Sequence, residues 1–236
     1  MGKFTIRNFL HEQWTTIPIP NADISDKSIV VTGANVGLGF EAAIHLAKLK
    51  PKRLLLTTRD EAKGEQAKHG TTIGSLICTD SGFDADIEQR SMIKDVEAWP
   101  LEMGSFDSVR KFADRFDLEG SSINALIANA AVATLTYTRT QDGWETTFVP
   151  NNHLVQCFYA DSLFTVRLQV NYLSTALLSI LMLPHLIKST TPTNVSRLVI
   201  VSSDAHFQVD KSKLKGATNW PSILGKLNDK GYCTAS

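Results

Sequence analysis

Charge of one sign is missing from this chain. Its 236 residues carry 24 Lys+Arg against 24 Asp+Glu, a formal net charge of zero. Partners that are themselves polyanionic select a basic excess, so neither nucleic acid nor an anionic membrane is expected as a ligand. Cysteine is scarce as well. Cys78, Cys157 and Cys233 are odd in number and far apart. Neither CxxC nor HExxH occurs, which excludes a disulfide framework and the common zinc spacings, so no metal is expected and the reading is a reduced, cytoplasmic protein. Long hydrophobic runs are also lacking. The most apolar stretch, YLSTALLSILMLPHLI (172–187), reads as too short to span a bilayer and carries Pro184, so it is expected as a buried helix. The start, MGKFTIRNFL, holds Lys3 and Arg7 without a sustained apolar core and is not a signal peptide; Ile6 stands where a myristoylation motif needs Ser or Thr.

What is present alternates between two periodicities. SIVVTG (28–33) is a short β-branched run of the kind buried on both faces of a sheet. It leads into ANVGLGFEAAIHLAKLK, with Ala43, Leu46 and Ala47 at helical spacing before Pro51. RLLLTT (53–58), DVEAWP (95–100), NALIANA (124–130) and SRLVIVSS (196–203) read as further strands. SFDSVRKFADRF (105–116) reads as a helix. This order implies an α/β fold, a Rossmann-type doubly wound parallel sheet with helices on both faces.

The strongest chemical signal is Thr32-Gly33-Ala34-Asn35-Val36-Gly37-Leu38-Gly39, between the first strand and the first helix. Glycines there let the chain turn sharply and let a pyrophosphate approach backbone amides at the helix N-terminus, so Gly33, Asn35, Gly37, Leu38 and Gly39 are candidate cofactor ligands. A glycine triplet alone marks only a tight turn; its strand and helix flanks make it a dinucleotide signal. An acidic side chain after the second strand holds the ribose hydroxyl of NAD, whereas an arginine accommodates the 2′-phosphate of NADP. Arg59, with Lys63 one turn on, points to NADP; adjacent Asp60 keeps NAD open.

These stretches resemble the short-chain dehydrogenase/reductase family, in particular its retinol-dehydrogenase-like and fungal secondary-metabolism branches. The resemblance runs from about Asp26 onward. It implies that Glu102 contacts adenine and that Asn129, in LIANAA, borders the adenosine; Ala131 replaces the usual glycine there, so a slightly strained turn is expected. It implies further that Asn171, in VNYLS, supports a proton-relaying water, and that Ser203 (or its neighbour Ser202) orients the substrate oxygen. The implied reaction is hydride transfer between the nicotinamide and a small carbonyl or alcohol, with a tyrosine as acid/base and a nearby lysine lowering its pKa.

That tyrosine and lysine are not found. Four places after Tyr232 stands Ser236, and Tyr172 has no lysine four residues later; Tyr137 and Tyr159 precede the serine strand. The expected Tyr-x-x-x-Lys would fall beyond Ser236, so the chain reads as truncated and inactive as written. The alternative is a non-catalytic dinucleotide-binding protein that engages a partner. Homo-oligomerisation stays open for a full-length form. The expected organisation is an N-terminal arm over 1–25 and a partial dinucleotide-binding domain over 26–236, with atypical inserts near 69–86 and 149–169. The second insert places Pro150 inside what should be one helix. Both inserts can be spelled with splice-site-like codons at their ends, and retained introns are one reading of them; loop insertions, which surfaces tolerate cheaply, are the other.

Overall fold

The computed structural model describes residues 14–16, 18, 21–34, 37–58, 96–119, 122–132, 139–145, 168–202 and 219–229. Five strands form one parallel sheet: β1 (Ser28–Val31), β2 (Arg53–Thr58), β3 (Val96–Pro100), β4 (Ala125–Ala128) and β5 (Arg197–Ile200). Their spatial order is β3-β2-β1-β4-β5. Val30 pairs with Leu55 of β2 on one side and Leu126 of β4 on the other. The helices are α1 (Gly37–Lys48), α2 (Phe106–Glu119), α3 (Thr175–Lys188) and α4 (Trp220–Leu227), with a π-helical stretch, Leu168–Ser174, leading into α3.

Period-two alternation divides the sheet between two cores. Ile29, Val31, Leu54 and Leu56 face α1, where Ala43 and Ala47 let helix and sheet approach closely. Val30, Leu55, Trp99 and Leu126 face the other way, onto Phe112 and Phe116 of α2 and Leu178 and Met182 of α3. Trp99 packs against Phe116 with ring centroids 4.8 Å apart. Arg53 closes the lower edge of this core, its guanidinium 5.0 Å from the Trp99 ring and bound to both carboxylate oxygens of Glu97 at 2.7 Å. Burial opposes the Arg53 charge, but the hydrogen bonds and field of Glu97, aided by Glu119, raise its pKa above the ordinary arginine value.

Three expectations need correction. The strand at 196–203 is not buried: β5 lies at the edge of the sheet among the described residues, and Val199, Ile200 and Val201 are exposed. An apolar run reports that a strand forms, not that both faces are covered. The apolar helix is longer than its most hydrophobic stretch. With the π-helical turn, Leu168–Lys188 makes 21 residues, long and apolar enough by length and composition to cross a membrane. Leu178, Met182 and Leu186 nevertheless point into the core, while Ile180, Leu183 and Ile187 are exposed on the opposite side. Finally, Ala131 does not adopt the left-handed conformation that would strain it: Lys50, in the turn that ends α1, is the one non-glycine residue with positive φ among those described.

The 69–86 segment and residues 149–167 lie outside the described residues, as does most of the 1–25 arm. The last two residues of the second insert do not. Leu168 and Gln169 are fully buried at the start of the π-helical stretch and are part of the fold.

Candidate dinucleotide site

β1 lies between β2, to which the chain crosses in one direction, and β4, to which it returns in the other. The strand order therefore reverses at β1, and in open α/β sheets a crevice opens beyond the strand ends at such a point. The sequence puts its glycine turn there. Gly33 (φ 65°) and Gly37 (φ 64°) both occupy the left-handed region, which an L side chain resists.

Close packing explains two of the glycines. A Cβ on Gly33 would stand 2.6 Å from the Ala130 Cα, and one on Gly39 would stand 2.3 Å from Asn129 Nδ2 and 2.4 Å from the Gly33 carbonyl oxygen. Gly37 differs, because nothing lies within 4 Å of a Cβ there. It is exposed at the α1 N-terminus, where the first amides of a helix have no partner within it, as is Leu38, 78% exposed.

Asn129 fixes the turn. Its side-chain amide donates to the carbonyls of Thr32 (3.1 Å) and Gly33 (3.0 Å). The sequence reading missed Thr32 as a functional residue, although it opens the motif. Its buried hydroxyl accepts hydrogen bonds from the amides of Asn129 and Ala130, 3.0 Å each, stitching the end of β1 to the end of β4. Thr57, also missed, is buried and accepts from the Gly33 amide at 3.4 Å.

A cleft of about 310 Å³ opens here, lined by Gly33, Thr57, Leu101, Glu102, Asn129 and Val170 among others. Glu102 is half-buried on its wall, with one carboxylate oxygen accepting from the Gly104 amide at 2.7 Å. Asn171 is exposed, and its amide is occupied: Oδ1 accepts from the Val132 amide at 2.9 Å, and Nδ2 donates to the Val132 carbonyl at 3.3 Å. Its side chain thus ties the π-helical stretch to the loop after β4, whose Ala131 and Val132 line the cleft. Asn35, Arg59, Lys63 and Ser203 lie outside the described residues; Ser202, just past β5, is exposed. The structure brings together Gly33, Leu38, Glu102 and Asn129, with Gly37 and Gly39 in the same turn and Asn171 one hydrogen bond behind the wall. Among the described residues no three His, Cys, Asp or Glu side chains cluster so as to hold a metal ion.

No family model matches the chain. Curated relatives do. The short chain dehydrogenase/reductase dmxR8 of Cryptosporiopsis sp. (strain 8999) is 34% identical over 232 residues, covering 94% of this chain and 58% of that protein. The short chain dehydrogenase sol3 of Alternaria solani is 31% identical over 226 residues, covering 94% and 65%.

The chain belongs to the short-chain dehydrogenase/reductase family.

It spans 58% and 65% of the length of these two relatives. The fold is that of a solved Pseudomonas aeruginosa RhlG/NADP active-site complex, at 16% identity and a TM-score of 0.50 over 88% of this chain and 64% of that one.

Proposed function

We propose that the chain is the dinucleotide-binding part of an NADP-dependent oxidoreductase that moves a hydride between nicotinamide and a small carbonyl or alcohol. The observation carrying this reading is the glycine turn at the reversal of strand order, packed at Gly33 on the Ala130 backbone and at Gly39 on the Asn129 side chain, unobstructed at Gly37, with Gly33 and Leu38 lining the cleft. A bare backbone facing outward at a helix N-terminus suits a pyrophosphate, whose charge the helix dipole favours. Gly33, Gly37, Leu38 and Gly39 would hold the pyrophosphate, Asn129 and Glu102 would border the adenosine, and Arg59 with Lys63 would receive the 2′-phosphate. NADPH, when bound, supplies the hydride. The protein's part is to orient it: Thr32 and Asn129 hold the turn rigid, Val132 and Val170 wall the cleft, and Ser203 with Asn171 would sit on the substrate side.

Within these 236 residues no Tyr-x-x-x-Lys is present. We therefore expect dinucleotide binding without measurable turnover from this segment alone. Titration with NADPH and NADH, followed by nicotinamide fluorescence, tests the reading. Saturable binding with NADPH preferred supports it, equal affinity rejects the role given to Arg59 and Lys63, and absence of both rejects the site. Turnover on a carbonyl panel would reject the claim that the acid/base is missing. Tight binding with no turnover in a form that carries a Tyr-x-x-x-Lys would favour the partner-binding alternative.

A further inference from the structure

The loop Arg139–Glu145 looks like a surface turn in sequence, with Asp142-Gly143 at its tip. In the structure it is the meeting point of three helix ends. Asp142 Oδ2 accepts from the amide of Phe106, the first residue of α2, at 2.7 Å. It also accepts from Gln169 Nε2 at 2.7 Å, and the Thr140 hydroxyl hydrogen-bonds Gln169 Oε1. The Glu145 carbonyl accepts from the Gln169 amide at 3.3 Å, and its carboxylate accepts from the Leu168 amide at 3.4 Å. On the far side, Asn228, immediately after α4, accepts from the Glu145 amide at 2.7 Å and donates to the Gly143 carbonyl at 3.2 Å.

Glu145 and Gln169 have no exposed surface at all. Burying a carboxylate and an amide is costly unless every polar atom is met, so apolar residues would have held these elements together more cheaply. What hydrogen bonds add is direction: they fix one register among several that an apolar contact tolerates. The elements so registered are α4 and the π-helical stretch, which presents Asn171 two residues after Gln169.

We propose that Asn228 is a positioning residue: through the Glu145–Gln169 hub it sets α4 against the helix that carries Asn171. This rests on the reading above in giving Asn171 a place in the site, but the physical coupling is measurable without it. Amide exchange followed by mass spectrometry on the 236-residue chain is the test. In Asn228→Ala, amides of 168–174 should exchange at least tenfold faster together with those of 219–229, while 28–58 stay unchanged and NADPH affinity moves less than threefold. Asn228→Asp keeps the acceptor for the Glu145 amide but loses the donor to the Gly143 carbonyl, so it should restore part of the protection. Acceleration confined to 219–229, or no rescue by the aspartate, overturns the proposal. Should Asn228→Ala fail to melt cooperatively, Thr140→Val cuts the hub from the opposite side with Asn228 intact. It should speed exchange in 219–229, and silence there overturns the proposal equally. Failure of the unaltered chain to bind NADPH would reject the function proposed above and leave the exchange results standing.

Discussion

Replacing Gly39 with alanine tests the site at its tightest point. The new methyl would arrive 2.4 Å from the Gly33 carbonyl oxygen and 2.3 Å from Asn129 Nδ2, two atoms that are themselves hydrogen-bonded to each other at 3.0 Å. Neither is the end of a long flexible side chain, so turn and brace must separate. Overpacking of this kind costs about 1–3 kcal/mol, and losing the amide–carbonyl bond adds about 1 kcal/mol. Alanine's better helix propensity returns up to about 1 kcal/mol, less in a first turn. A net loss of about 2 kcal/mol remains, which in a chain of this size lowers Tm by roughly 4–8 °C. Because the turn is the proposed pyrophosphate site, NADPH affinity should fall at least tenfold. A double-mutant cycle with Asn129→Ala sharpens the test: removing the amide relieves half of the clash, so the two changes should be less than additive by about 1 kcal/mol. Additive effects, or wild-type Tm and affinity in Gly39→Ala, would mean that turn and brace do not touch as described.

Other substitutions read separate parts of the same construction. Thr32→Val keeps shape and removes the acceptor of two amides, so denaturant titration should show a loss of about 1–3 kcal/mol, whereas Thr32→Ser should lose less than about 1 kcal/mol. Gly37→Ala meets no neighbouring atom but must hold φ near +64°, so it should lower stability by about 1 kcal/mol; a loss as large as that of Gly39→Ala would contradict the open face. Arg53→Ala removes a bidentate pair with Glu97 and a stack on Trp99, and should destabilise by about 1–2 kcal/mol in urea while leaving NADPH affinity unchanged.

The sequence was most readable where one physical demand dominates. Short apolar runs named all five described strands, with ends one to three residues too long at most, and the glycines of the turn stood where positive φ or close contact admits nothing larger. Reading failed where a residue's state depends on what lies across from it. Val199 and Ile200 promise burial by composition, yet the edge position of β5 leaves them exposed among the described residues. Gln169 and Glu145 promise solvent by composition, yet hydrogen bonds from distant segments bury them completely. Leu168 and Gln169 were grouped with an insert because no sequence periodicity sets a π-helical start apart from the residues before it. Thr32 was passed over because a threonine ending a strand is ordinary until its hydroxyl is seen to serve two amides of another strand.

The candidate site therefore rests on two kinds of contact that solve different problems. On the β1–β4 side the requirement is nearness: a carbonyl, an amide and a helix backbone meet within about van der Waals distance, and only missing side chains allow it. On the side of the Arg139–Glu145 loop the requirement is angle: three helix ends must meet in one orientation, and directional polar bonds supply what small residues cannot. The helix Leu168–Lys188 joins the two. Its Leu178, Met182 and Leu186 stripe anchors it against the sheet, but a stripe of apolar contacts leaves freedom to slide or roll. Asn171 removes that freedom at Val132 beside the cleft, and Gln169 removes it at the loop. Both are polar residues whose side chains are engaged with neighbouring segments, which is the physical reason to assign them to geometry before assigning them to chemistry.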